Sequence, residues 1–163
     1  MTQQKRLPLV VLSAATTVVA VSVMAPPAKA DNHRLNQSVF ANIYTAQKQN
    51  GCAADPHIDG RLVDAARRHT LDVLNNPDIN GDNGSDGSSL QDRTVAAGFT
   101  GQVAETIAIN PALAISGIEI LNQWWYDPPS RATMQDCRYN AIGVWSENSL
   151  ARSVVVAVYG HNG

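Results

Sequence analysis

Two cysteines, Cys52 and Cys137, constrain this fold more than any other feature of the sequence. They stand far apart in the chain, and the residues that precede them direct both to an oxidising compartment. Lys5 and Arg6 form a short basic opening, Leu7 to Met24 is a mostly apolar run without charge, and Ala28-Lys29-Ala30 supplies small residues at the spacing signal peptidase needs. Residues 1–30 are therefore expected to be a secretory signal peptide, cleaved before Asp31. The competing expectation is a retained anchor, since the run approaches spanning length, although Ser13, Thr16, Thr17 and Ser22 dilute it. In an exported chain one Cys52–Cys137 disulfide is the natural expectation, adding about 4–5 kcal/mol on the chain-entropy argument. Two free thiols and a metal pair are the alternatives, and two sulfurs without a local Cys-x-x-Cys give metal little support.

Beyond residue 30 the chain keeps 133 of its 163 residues, enough for one domain with a real core and too few for two. That domain, residues 31–163, carries nine basic and fourteen acidic side chains, a net charge of −5 with histidines neutral. Lys48 is its only lysine and its arginines are scattered among acids, so the basic clustering of a nucleic-acid binder is missing. There is no internal repeat and no second membrane-spanning candidate, so no membrane contact is expected once the leader is removed.

Periodicity outlines the elements. Leu35, Val39, Ile43 and Gln47 recur at helical spacing until Gly51. Asp59 reads as the N-cap of a second helix, Gly60 to Asn75, with the inward stripe Leu62, Ala66, His69 and Val73. His69 on that stripe reads as a buried imidazole satisfied by a neighbouring carbonyl or hydroxyl. Asn76 to Ser89 is a surface loop dense in Asn, Asp, Gly and Ser. Within it Asp78, Asn80 and Asp82 alternate like the first ligands of a calcium loop, but Ser89 stands at the twelfth place, where a bidentate glutamate belongs. A short helix, Leu90 to Ala97, is expected to end at Gly98. Asn110-Pro111 predicts the start of a helix running to about Tyr126, with Leu113, Ile118, Leu121 and Trp125 inward, broken by Asp127-Pro128-Pro129. AIGVWSE and RSVVVAVYG read as two strands joined by a turn at Asn148-Ser149. Helices with a C-terminal antiparallel hairpin predict an α+β fold.

The stretch VAETIAIN sets one carboxylate, Glu105, among apolar and small residues. A carboxylate stripped of water costs several kcal/mol unless it is paired. Arg131, the Ser130 hydroxyl and nearby backbone N–H groups are the expected partners, with Arg93 as a second candidate counterion.

The strings DGSSLQDRTVAAGF, VAETIA, WWYDPPSRATMQDCRYNAIGV and VVVAVYG together resemble the bacterial short form of the CAP superfamily: cysteine-rich secretory proteins, antigen 5 and pathogenesis-related 1 proteins, also called the SCP domain. The resemblance covers nearly all of residues 31–163. Its most specific parts are VAETIA, similar to the family's GENIA, and the gapless register from Trp124 to Gly143. It implies a secreted, three-layer α-β-α sandwich whose central cleft, in well-kept members, holds two histidines and one or two acids able to take a divalent metal such as zinc. Glu105 matches the cleft glutamate and Arg131 the arginine after the second histidine, whose own place is taken by Ser130. Asp82 falls where the first histidine stands, Asp127 about where longer members put a second acid, and Thr106 where the family has asparagine. With neither histidine in place, the resemblance implies a degenerate metal cleft, no cofactor and no metal ligand set.

A hydrolytic reading weakens for the same reason, because a nucleophile needs a base and a metal-bound water needs the metal. Ser130, His69 and an aspartate form a triad by inventory only, and no G-x-S-x-G elbow occurs. No residue is assigned a catalytic role. The expected function is that of a secreted, non-enzymatic interaction module contacting a protein, an envelope component or a host molecule. The alternatives are a carrier of a sterol or fatty acid, for which Trp124, Trp125 and Tyr126 are the only pointer, and a metal-dependent hydrolase.

Overall fold

The computed structural model describes residues 32–79, 81–111 and 114–161. The leader expected over residues 1–30, its cleavage point before Asp31, and the inward placement of Leu113 lie outside the described residues. Helix α1 (His33–Gln49) buries Val39, Ile43, Ala46 and Gln47. Gln47 is paired despite its burial, since its amide nitrogen donates to the Tyr139 carbonyl at 2.8 Å. Strand β1 (His57–Ile58) leads into helix α2 (Gly60–Asn75), whose N-cap Asp59 accepts from the Arg61 backbone N–H. The stripe Leu62, Ala66, His69 and Val73 is fully buried, as its spacing predicts. Helix α3 (Leu90–Ala96) starts in a capping box between Ser89 and Asp92 and stops at Gly98, whose φ of +88° suits glycine.

The next segment departs from expectation. Gln102–Asn110 is strand β2, paired with the last strand over all nine residues, and the helix expected from Pro111 starts only at Gly117. Ser116 caps this helix, α4 (Gly117–Tyr126), in a second capping box with Glu119. The later start resets the helical phase. Ile120 and Trp124 point inward, whereas Ile118 is 61 % exposed and Trp125 only half-buried. Nor does Asp127-Pro128-Pro129 simply break the chain. Asp127 caps a further helix, α5 (Pro128–Gln135), with proline at the first turn where its missing N–H is harmless.

Strands β3 (Ala141–Asn148) and β4 (Ser153–His161) form the expected hairpin. The sheet runs β1-β3-β4-β2, with β1 parallel to β3 and the other pairs antiparallel. Helices α2 and α3 cover one face, over a core of Leu62, Phe99, Val154, Val156 and Val158. Helices α1, α4 and α5 cover the other, over Ile43, Ile120, Trp124, Ile142 and Tyr159. The result is the α+β, three-layer arrangement. A Cys52–Cys137 disulfide joins the end of α1 to the segment after α5, across 85 positions. No helix among the described residues is long and apolar enough to cross a membrane.

Candidate functional site

Strand β2 is covered on both faces, and its alternation sorts its side chains between two cores. Val103, Ile107 and Ile109 pack toward α2 and α3, while Ala104 and Ala108 pack toward α4 and α5. Thr106, on the second face, meets the Tyr159 hydroxyl at 3.0 Å. Glu105 belongs to the first set by parity, and its side chain is wholly buried there.

Its partner is Arg93. The Arg93 Nη2 donates to Glu105 Oε1 at 2.7 Å, and Nη1 donates to the Ser88 carbonyl at 3.0 Å. Arg93 itself is 2 % exposed, so the pair is sealed from water. The α2 face brings a third group: His69 Nε2 lies 3.0 Å from the Gly81 carbonyl and 3.8 Å from Glu105 Oε1. Glu105 Oε2, Arg93 Nε and His69 Nδ1 have no hydrogen-bond partner among the described residues. Burial pushes the Glu105 carboxyl up to about 7, against the opposing pull of Arg93 and with a further push from Asp82. Burial and the neighbouring Arg93 charge hold His69 below its ordinary value. The imidazole is therefore neutral near pH 7, while the carboxyl titrates there.

Of the partners expected for Glu105, Arg93 is the one it meets, while Arg131 and Ser130 are elsewhere. Arg131 stacks against the Trp125 ring at 5.9 Å, and Ser130 stands on α5, beyond the opposite face of the sheet. Asp127 is a helix cap, accepting from the Ser130 backbone N–H at 3.0 Å. Proximity of Ser130 and Arg131 to one another in sequence gave no measure of which face of β2 they would meet. The Arg93 connection needed the α3–β2 turn, and the His69 contact needed the phase of α2.

A cleft of about 510 Å³ runs along the outer edge of β2, with Val103 to Ile107 as its floor. Asp82 and Leu90 form one wall, and Pro129, Ser130 and Thr133 the other. The Asp82 wall is tied to α2, where the Asp72 carboxylate accepts from the Ser85 N–H at 2.8 Å and from its hydroxyl at 2.6 Å. Asp82 and Ser130 thus face one another across the cleft. Glu105 contributes its main chain to the floor, while its buried carboxylate lies on the α2 and α3 side of the strand, within reach of the Asp82 charge.

Three solved structures carry the same arrangement of layers. One is an outer surface protein of Borrelia burgdorferi, 16 % identical, with a TM-score of 0.72 over 83 % of this chain and 98 % of that one. Another is an extracellular protein of Bacillus anthracis containing an SCP domain, 16 % identical, with a TM-score of 0.67 over 80 % of this chain. The fold is that of an SCP domain. A cysteine-rich secretory protein of Staphylococcus aureus, 12 % identical, aligns over 84 % of the chain with a TM-score of 0.62. This SCP fold spans 41 % of the length of the Bacillus chain and of the Staphylococcus chain. No family model and no curated protein matches the sequence.

The divalent metal that well-kept CAP members can take does not fit the residues of this cleft. Zinc needs three or four converging nitrogen, sulfur or carboxylate donors. Here Asp82 and Ser130 stand on opposite walls, and Glu105 Oε1 already accepts from a guanidinium that keeps its charge. Among the described residues no group of three or more His, Cys, Asp or Glu side chains is placed to hold a metal ion.

Proposed function

We propose that this chain is a secreted CAP-family protein acting as a non-enzymatic binding module, with the β2 cleft as its contact surface for a protein or envelope component. The observation that carries the reading is the 2.7 Å pairing of Glu105 with buried Arg93, which turns the family's cleft acid inward and away from any incoming ligand. The exported location is supported by the leader-like residues 1–30, the Cys52–Cys137 disulfide and the outer-surface and extracellular descriptions of the structural neighbours. Calorimetric titration with Zn²⁺ tests it. No saturable heat is expected, and stoichiometric binding that Glu105→Ala abolishes would restore the metal-dependent hydrolase.

The carrier reading has two pockets in its favour: one of about 310 Å³ between α1 and α4, where Leu121, Trp125 and Tyr126 meet Asn42, Thr45 and Gln49, and one between α1 and the β1–β3 end of the sheet, lined by Phe40, Ile58, Val63, Val144 and Trp145. The first only reaches the roughly 300 Å³ at which small-molecule sites begin and is lined by the polar side chains of Asn42, Thr45, Gln49 and Asn122, and the second, at about 210 Å³, falls below it, so neither suits a sterol or a fatty acid well. Lipid extracted in stoichiometric amount from the purified protein would reverse that preference.

A further inference from the structure

Strand β2 is an edge. It pairs with β4 along its whole length, and among the described residues no backbone hydrogen bond reaches its other side. Glu105 shows the consequence most plainly: its side chain is wholly buried, yet the residue is only half-buried, so what meets solvent at the centre of the cleft is peptide backbone. Exposed edges are ordinarily blunted by proline, lysine, an inward-pointing charge, a bulge or shortness, and of these the edge carries only the inward charge of Glu105, which Arg93 already pairs. Val103–Ile107 has no proline or lysine, and its register with β4 is unbroken from Gln102 to Asn110. The edge is instead sunk between two walls, in a cleft of about 510 Å³.

We propose that the cleft binds an extended, basic segment of a partner protein, which adds to the sheet as a fifth strand along Val103–Ile107. The proposal rests on the binding-module reading and names the occupant of that same site. Main-chain N–H and C=O groups of β2 would supply affinity, and the walls would sort alternate side chains of the guest. One set faces Asp82, the exposed charge of the cleft, on a domain of net charge −5, which selects lysine or arginine there. The other set faces the Ser130 and Thr133 side of α5, which suits small or hydroxyl-bearing residues. A second copy is a poor occupant, because its own β2 lies equally deep between walls and two recessed edges cannot meet. The floor of five residues spans about 17 Å, so a guest of five to seven residues fills it.

The test is selection of a displayed random decapeptide library against the full chain, with the enriched peptides then synthesised in two forms, unmodified and N-methylated at alternate amides. Alternating β-formers with lysine or arginine are expected. N-methylation in the paired register should abolish binding, and amides within Val103–Ile107 should become protected from hydrogen exchange. Asp82→Asn should weaken a lysine-containing peptide about tenfold, the loss of one charge-assisted hydrogen bond, and leave its glutamine analogue unchanged. Peptides that bind equally when N-methylated, or that protect the α1–α4 face instead, would overturn the strand-addition proposal while leaving the binding-module reading intact. An unenriched library would overturn the proposal, and Zn²⁺ binding through Glu105 would overturn the reading beneath it. Protection of β2 that needs no peptide, whether it follows dimerisation or requires residues 1–31, would also overturn it.

Discussion

The buried Arg93–Glu105 pair is expected to respond asymmetrically to loss of its two members. Arginine cannot shed its charge in a protein, whereas a carboxyl can. In Glu105→Leu the guanidinium of a buried side chain keeps only the Ser88 carbonyl, so the cost should fall near the 3–5 kcal/mol typical of an orphaned buried ion. In Arg93→Met the carboxyl left behind protonates. With its pKa already raised to about 7, most of that neutralisation penalty is present in the native protein at neutral pH, and the added loss there is below about 1 kcal/mol. Adding about 1–2 kcal/mol for the lost charge-assisted hydrogen bond puts Arg93→Met near 2 kcal/mol. For a domain of this size each kcal/mol moves Tm by about 3–5 °C, so Tm should fall about 10–20 °C for Glu105→Leu and half that or less for Arg93→Met. The double variant should recover to within about 2 kcal/mol of the native protein, since no buried charge remains. Urea unfolding at pH 7, with thermal unfolding beside it, reads all three. An Arg93→Met loss equal to or larger than that of Glu105→Leu, or a double variant as unstable as the sum, would refute the reasoning.

The pH dependence carries two opposed contributions. Glu105, raised from 4.5 to about 7, favours folding most below about pH 4.5, and that contribution is lost as pH rises toward 7. His69, held below 6.5, disfavours folding in acid, and its penalty fades as pH rises toward 6.5. Urea midpoints between about pH 5 and 7.5 should therefore rise with pH in Glu105→Gln, relative to the native protein, and fall in His69→Gln; slopes of the same sign in both variants would contradict the assignment. Gly143 lies so close under α2 that an added Cβ would sit 2.1 Å from the Leu62 carbonyl carbon and 2.3 Å from the Val63 nitrogen. Because those atoms are backbone, Gly143→Ala should cost about 3 kcal/mol or more in thermal unfolding, while Gly60→Ala, with nothing within 4 Å, should be neutral or stabilising.

The elements with one buried face were legible in the sequence. The stripes of α1 and α2 and the apolar runs of β3 and β4 follow directly from period and composition. Strand β2 was not legible in the same way, because both of its faces are covered and Glu105 sits where a strand reading would place an apolar side chain. Pro111 drew the start of α4 too early, although Ser116 and Glu119, three residues apart, carried the stronger capping signal. Asp127-Pro128 carries two messages, a stop for one helix and a cap for the next, and a proline pair shows the first more plainly than the second. At the site, the motif located Glu105 but not its direction. Which face of β2 the carboxylate takes is fixed by pairing with β4, a contact about fifty positions away, and that choice is what gives it Arg93 and His69 rather than Ser130 and Arg131.

The Cys52–Cys137 bond also decides what a protease could do to this molecule. Both walls and the floor of the cleft fall inside the covalent ring that it closes, while α1 and the β3–β4 hairpin hang outside. A single cut in the Asn/Asp/Gly-rich stretch after α2 would leave the severed ends tethered through sulfur, so no fragment could diffuse away. In an extracellular setting the surface would outlast its own nicking for as long as that bond stayed oxidised.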